Sequence, residues 1–426
     1  MKHSALIWPK RWLALSLGAL ALSAVLALLL ILTRTPFIQD YLGIKSWFHF
    51  VLVLHVNFAV LVWLMSFIAF LWLRESLVLV LPAIYQKMVW SLGLVSIGCM
   101  LISPLLLNTL GDLPIMSNYI PVINSPLFLI GLGGFALAIS LIALAAIWGK
   151  SFRSLTVLDW AAWFWLSAVS ILVIHGLDLT DLQGWLLFES LFWGAGHVLQ
   201  FVYVLVIWAV WRWPDTSSSR MLNILFLFIL LIGLALAIAF DPHSNLSKNM
   251  FSYLMQWGMP FMLLPLIIYW GLKQGVKIHS SFDLAITSSV ALMTIGFILG
   301  VAIQDDSVMV TAHYHATNAA ITVAFMGLIY KLWPNLGLGK VPEKAAGKQI
   351  LFYSVSMFFY VLGMAASGLL GVPRKTALLI DQGWEQIAMT IMGLGGFLSI
   401  ISSLIFIYLL IKYSGSNRSV TYEKDA

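Results

Sequence analysis

The chain reads as an all-α integral membrane protein of twelve transmembrane helices with both termini cytoplasmic, and three observations carry that reading. It is 61% hydrophobic and only 9% charged, with a mean hydropathy of +0.98. A soluble domain carries roughly a quarter charged residues, so the charge here cannot coat a water-exposed globule. The apolar residues come in runs of ~20, the length that crosses hydrocarbon as a helix. These runs show no apolar/polar alternation, which excludes barrel strands and leaves helices to satisfy the backbone in lipid.

In order, the segments are 12–33, 47–73, 86–108, 126–148, 157–175, 184–211, 221–240, 250–272, 283–303, 309–333, 350–371 and 384–411. Their connections are short, so residues 1–426 are expected to form a single twelve-helix membrane domain. The first segment follows Lys2, Lys10 and Arg11. It is expected to be an uncleaved span and not a signal peptide, because it is full length and ends without a small-x-small cleavage site. With the N-terminus cytoplasmic, 18 of the 23 Lys and Arg fall on the cytoplasmic side and 5 outside (Arg34, Lys45, Lys248, Arg374 and Lys375). The positive-inside rule favours that split. A net charge of +6 does not imply nucleic acid here, because the basic residues sit in short loops between apolar segments. The expected setting is a multi-pass protein of a bacterial-type cytoplasmic (inner) membrane, with the lipid bilayer as its surroundings. The single cysteine, Cys99, lies inside an apolar run, so neither an internal disulfide nor a multi-thiolate metal site is at hand.

The chemistry is carried by the histidines. His3, His243 and His279 fall in termini or loops, and His49 and His175 at segment ends, where an interfacial imidazole is inexpensive. His55, His197, His313 and His315 lie inside apolar segments, where an ionisable residue is a functional candidate by default. At ~1.5 Å of rise per residue, His55, His313 and His315 fall in the outer half of their spans and His197 near the midplane. Successive helix residues turn by about 100°, so His313 and His315 point about 200° apart. That suits two flat cofactors on opposite flanks of one helix better than one small ion. Neutral imidazole is an axial ligand for haem iron. The competing reading is that each ring simply satisfies itself on a neighbouring carbonyl.

Three segments then resemble a known family. Ala312-His313-Tyr314-His315, running on to Met326-Gly327-Leu328-Ile329-Tyr330-Lys331-Leu332-Trp333-Pro334, is similar to the most specific signature of the haem–copper oxidase catalytic subunit, cytochrome c oxidase subunit I and its bacterial relatives. Leu54-His55-Val56-Asn57 resembles that family's low-spin haem helix, and Leu191-Phe192-Trp193-Gly194-Ala195-Gly196-His197 its first copper-ligand helix. Gly371-Val372-Pro373-Arg374-Lys375 looks like the basic pair that holds haem propionates, and Asp306 stands where the family keeps an aspartate near them. The resemblance covers nearly the whole chain. It implies two haems, of a type the sequence does not name. His55 and His315 would ligate a six-coordinate, low-spin iron, and His313 a five-coordinate, high-spin iron. His197 would be the residual copper-ligand position. Also implied are an electron-delivering partner, either a subunit or a cytochrome or cupredoxin, and O2 or NO as a gaseous ligand.

The chain departs from the family pattern at the second metal. The outer end of the seventh segment reads Leu234-Ala235-Leu236-Ala237-Ile238-Ala239-Phe240-Asp241-Pro242, without the adjacent histidine pair that copper needs. Four residues after His197 stands Phe201, where oxygen reducers carry tyrosine. A stable copper site takes at least three suitable ligands, so copper is doubtful. Polar groups that could supply protons are few: Asp283, Thr287, Ser288, Ser289 and Thr294 in the ninth segment, and Glu189 in the sixth. Three readings stay open: an oxidase-type redox enzyme, a haem protein without catalysis (electron carrier, gas sensor or assembly partner), and a transporter.

Overall fold

In a computed structural model of the protein, the described residues are 6–34, 47–76, 81–106, 113–270, 278–303, 307–372 and 383–415. They are almost wholly helical. The helices are α1 (Ile7–Arg34), α2 (Phe48–Val56), α3 (Trp63–Ser76), α4 (Ala83–Ile102), α5 (Pro126–Ile147), α6 (Val157–Asp178), α7 (Gly184–Trp211), α8 (Arg220–Ala239), α9 (Asn245–Tyr269), α10 (Ser281–Val301), α11 (Val308–Leu332), α12 (Glu343–Leu369) and α13 (Gly383–Lys412). A π-helical stretch, Asn57–Val62, joins α2 to α3, so these three pieces make one membrane-length rod.

The protein is thus an all-α integral membrane protein. Among the described residues, eleven helices are long and apolar enough to cross a bilayer. The remaining predicted segment, the tenth, is also a helix, the 25-residue α11, but Thr311, His313, Tyr314, His315, Thr317 and Asn318 lower its hydropathy. Residues 343–349 extend α12 seven residues ahead of the predicted start, because a polar first turn that includes Glu343 and Lys344 folds onto the apolar run. Helix starts follow ordinary capping chemistry. Thr156 and Asp159 form a reciprocal capping box on α6, and Ser219, Ser280 and Ser307 accept from backbone N–H groups of α8, α10 and α11.

The chain divides into two compact units, Met1–Leu266 and Ile267–Ala426. In the first unit α7 is the most enclosed helix, with apolar side chains buried all round its last five turns. Trp72 Nε1 donates to the Leu158 carbonyl, and Trp160 Nε1 donates to Asn223 Oδ1, tying α3 to α6 and α6 to α8. A two-stranded hairpin, β1 (Pro114–Ile115) and β2 (Val122–Ile123), is the one sheet among the described residues. In the second unit α10, α11, α12 and α13 pack in chain order, and small residues set how closely they approach, as is usual between membrane helices. Gly363 of α12 lies beneath the Met392 backbone of α13, and Gly327 of α11 lies against Ala285 of α10.

Those contacts separate two substitutions that a propensity scale treats alike. Gly347→Ala, where a methyl meets open space, should hold stability or raise it by up to about 1 kcal/mol of added helix propensity. Gly327→Ala, whose methyl meets Ala285, should lower stability by about 1–3 kcal/mol through overpacking. Thermal unfolding of the purified protein in detergent measures both.

Candidate functional site

The four intramembrane histidines share one arrangement. His55, one residue from the end of α2, places Nδ1 3.0 Å from the Ser23 carbonyl of α1. His197 of α7 places Nδ1 2.7 Å from the carbonyl of Trp193, one turn back. His313 of α11 reaches the Gly296 carbonyl of α10 at 2.7 Å, and His315 reaches the Thr311 carbonyl of its own helix at 2.8 Å. A carbonyl oxygen only accepts, so in each ring Nδ1 carries the hydrogen and Nε2 is the lone-pair nitrogen. That tautomer, with a second-shell acceptor on Nδ1, is how metal-ligating imidazoles are commonly oriented.

In the second unit the predicted splay of His313 and His315 appears as opposite packing partners. The His313 ring lies against α10, where a methyl on Gly300 would fall 2.9 Å from it. His315 meets Tyr360 of α12 edge to face at 5.1 Å, and Tyr360 is backed by Gly395 and Gly396 of α13. All three histidines proposed for iron are half-buried. Arg374, Lys375 and Asp306 lie outside the described residues. The polar groups of α10 serve structure. Thr287 and Thr294 donate to the carbonyls of Asp283 and Val290 in their own helix. Ser289 donates across to Ala320 of α11, and Asp283 accepts from Ser280 at the helix start.

His197 has different surroundings. It is 1% exposed, and its Nε2 accepts from the Tyr119 hydroxyl at 2.9 Å. Ser252 Oγ stands 3.3 Å from the same nitrogen. Tyr119 comes from the tip of the 114–123 hairpin, and its ring rests on Gly196, where any side chain would collide with it. The adjacent Asn118 donates from its backbone N–H and its amide to Glu189, whose carboxylate is buried. The hairpin tip is therefore clamped to α7 at two points two helical turns apart. Nothing in the hydropathy of 109–125 distinguishes this tip from an ordinary connection; the one signal was Gly196, three residues after Trp193 and beside His197.

His175 is 1% exposed and packed against Gly194 and Phe251, and among the described residues neither ring nitrogen has a well-aligned partner. His243 sits in the loop after α8 and bonds Ser190 at 3.0 Å. Phe201 stacks on Phe164 at 5.4 Å in the apolar core.

Haem iron is compatible with the tautomers of His55, His313 and His315, in which Nε2 holds the lone pair. Copper does not fit at His197. Its lone pair is taken by Tyr119, His243 is engaged by Ser190, and among the described residues no group of three or more His, Cys, Asp or Glu is placed to hold a metal ion.

The fold has a counterpart among solved structures. A solved structure of a haem–copper terminal oxidase dimer superposes with a TM-score of 0.63 over 93% of this chain and 84% of that one, at 16% sequence identity. Relatives by sequence are an uncharacterized protein of Rickettsia prowazekii (25% identical, over 93% of this chain and 94% of its own) and one of Aquifex aeolicus (28% identical, over 82% and 90%). No family model matches the chain.

Removing the phenol hydroxyl tests the His197 clamp. Tyr119→Phe leaves the buried Nε2 short of its donor and should cost about 1–3 kcal/mol. His197→Ala should cost less in the Tyr119→Phe background than in the unaltered protein, because the two residues share one bond. A double-mutant cycle of thermal unfolding measures that non-additivity.

Proposed function

We propose that this chain is a membrane-embedded di-haem redox protein, built on the terminal-oxidase fold, which passes electrons to a high-spin haem without a copper partner at the usual place. The observation that carries the reading is the shared carbonyl bond at Nδ1 of His55, His313 and His315. It fixes each ring with Nε2 as the ligand nitrogen, in a membrane setting suited to a large apolar macrocycle. His55 and His315 are assigned to the six-coordinate, low-spin iron and His313 to the five-coordinate one. Arg374 and Lys375, with Asp306, are assigned to the propionates, whose negative charge an Arg/Lys pair neutralises by charge-assisted hydrogen bonds.

Bound haem would supply one-electron chemistry and, at the five-coordinate iron, a place for O2 or NO. The chain's own residues orient the ligands. Ser23 and Thr311 hold the two imidazoles of the low-spin iron, and the Gly296 carbonyl and the space above Gly300 hold His313. Electrons would come from a separate subunit, cytochrome or cupredoxin, and the protein would lie in a bacterial-type inner membrane.

The test is a reduced-minus-oxidised spectrum of the purified protein with metal analysis and added carbon monoxide. His55→Ala or His315→Ala should abolish the low-spin bands, since either leaves that iron one ligand short. His313→Ala should remove the high-spin signal and carbon monoxide binding while sparing the low-spin haem. Gly300→Ala, which adds a methyl 2.9 Å from the His313 ring, should weaken the high-spin signal selectively. A preparation without haem, or with one copper for every two haems, overturns the proposal.

A further inference from the structure

At the end of the first unit that the sequence places on the cytoplasmic side, cations outnumber the carboxylates that could neutralise them. The carboxylates described there are Glu75, Asp159 and Asp215, and each is taken, by Arg74, Lys150 and Arg212 in turn. Arg11 lies over the Trp8 ring, and Lys10 and Lys87 stand on α1 and α4. Arg153 and Arg220 are left. Both are exposed, and neither has a hydrogen bond or ion pair among the described residues.

These two arginines share one neighbourhood. Arg220 opens α8, and Arg153 lies in the short turn Phe152–Ser154 ahead of α6. That turn packs on the start of α8, where Asn223 donates to the Phe152 carbonyl at 3.0 Å. Beyond the arginines α8 presents an apolar strip. Met221, Ile224, Phe228, Leu231 and Ile238 fall within an arc of about 100°, and all five are more than half exposed. Arg220 stands at the edge of that arc, on the side of Asn223. At ~1.5 Å per residue the strip is ~25 Å long, ample for an acyl chain, which spans half of the ~30 Å hydrocarbon core. Trp148 and Phe152, just ahead of Arg153 in the chain, are exposed aromatics of the kind that mark a membrane boundary.

Two unneutralised guanidinium groups at the head of an apolar strip define a ligand by its chemistry: an anion carried on an apolar chain. We propose that Arg153 and Arg220 together bind the phosphodiester of an anionic phospholipid from the cytoplasmic leaflet, with an acyl chain along the α8 strip. Guanidinium suits phosphate because its planar fork donates two hydrogen bonds at once and keeps its charge. Inorganic phosphate would satisfy the arginines but not the strip. A zwitterionic lipid would cover the strip and leave the net charge. The bound lipid ties the Phe152–Ser154 turn to the start of α8, since each supplies one arginine. The site needs neither iron nor an electron partner.

The test is thermal unfolding of the purified full-length protein in a neutral detergent, titrated with phosphatidylglycerol, phosphatidylcholine of the same chains, or inorganic phosphate. Phosphatidylglycerol should raise the midpoint saturably, and the other two should not. Arg153→Gln and Arg220→Gln should each raise the half-saturating concentration about fivefold, the effect of one interfacial cation. Both side chains are exposed, so both variants should fold and keep the lipid-free midpoint. Lys87→Gln removes an exposed cation at the same end from another helix and should leave the titration unchanged. An equal response to phosphatidylcholine or to phosphate overturns the proposal. So does a loss in Lys87→Gln as large as in the arginine variants, which makes the effect one of overall charge. A phosphatidylglycerol response that both arginine variants keep overturns it too, as does no response at all, the result expected if these arginines dock an acidic protein segment instead.

Discussion

An imidazole inside a bilayer must satisfy two nitrogens where water is scarce, and this protein meets that constraint the same way four times. In each ring one nitrogen is given to a backbone carbonyl: Ser23 for His55, Trp193 for His197, Gly296 for His313 and Thr311 for His315. A helical carbonyl already accepts from its own helix and can take a second hydrogen bond, so the arrangement needs no extra polar side chain in the membrane. The consequence is chemical as well as structural, because the tautomer is set. What separates the four is the other nitrogen. At His197 a phenol claims it, and the surrounding rings of Trp193 and Phe251 close the site.

The enclosure of α7 depends on two small residues a turn and less apart. Gly194 admits His175 and Phe251, and Gly196 admits Tyr119. The GAG run before His197 therefore creates two recesses on roughly opposite sides of one helix. A hairpin tip reaches into one of them, with Asn118 and Tyr119 reading Glu189 and His197 from outside the helix bundle. A residue with a side chain at either glycine would push these partners out and leave buried polar groups unpaired.

Much of this was legible in the sequence, and the reasons differ by element. Helix positions follow from hydropathy, since a run of ~20 apolar residues has one stable form in lipid. The opposite facing of His313 and His315 follows from helical geometry alone, and the packing of one against α10 and the other against α12 agrees with it. The role of Tyr119 was not legible. It depends on a short hairpin between helices, whose strands are two residues each and carry no periodicity. The burial of His175 was not legible from its place at a segment end; it comes from Gly194 and Phe251 on other helices, which no local pattern reports. The π-helical stretch is silent for the same reason: its extra residue is stabilised from outside, by the Tyr203 hydroxyl on the Val60 carbonyl.

The polarity of α11 bears on how the protein is made. A segment carrying two histidines, an asparagine and three threonines partitions poorly into hydrocarbon by itself. Its neighbour α10 is strongly apolar and packs along it, with Ser289 supplying a bond to the Ala320 carbonyl. Entry of the two as a helical hairpin would shield His313, which faces α10, before lipid reaches it. The helix that carries His313 and His315 is thereby the one whose own composition favours insertion least, and the helix just before it in the chain is the one that packs along it.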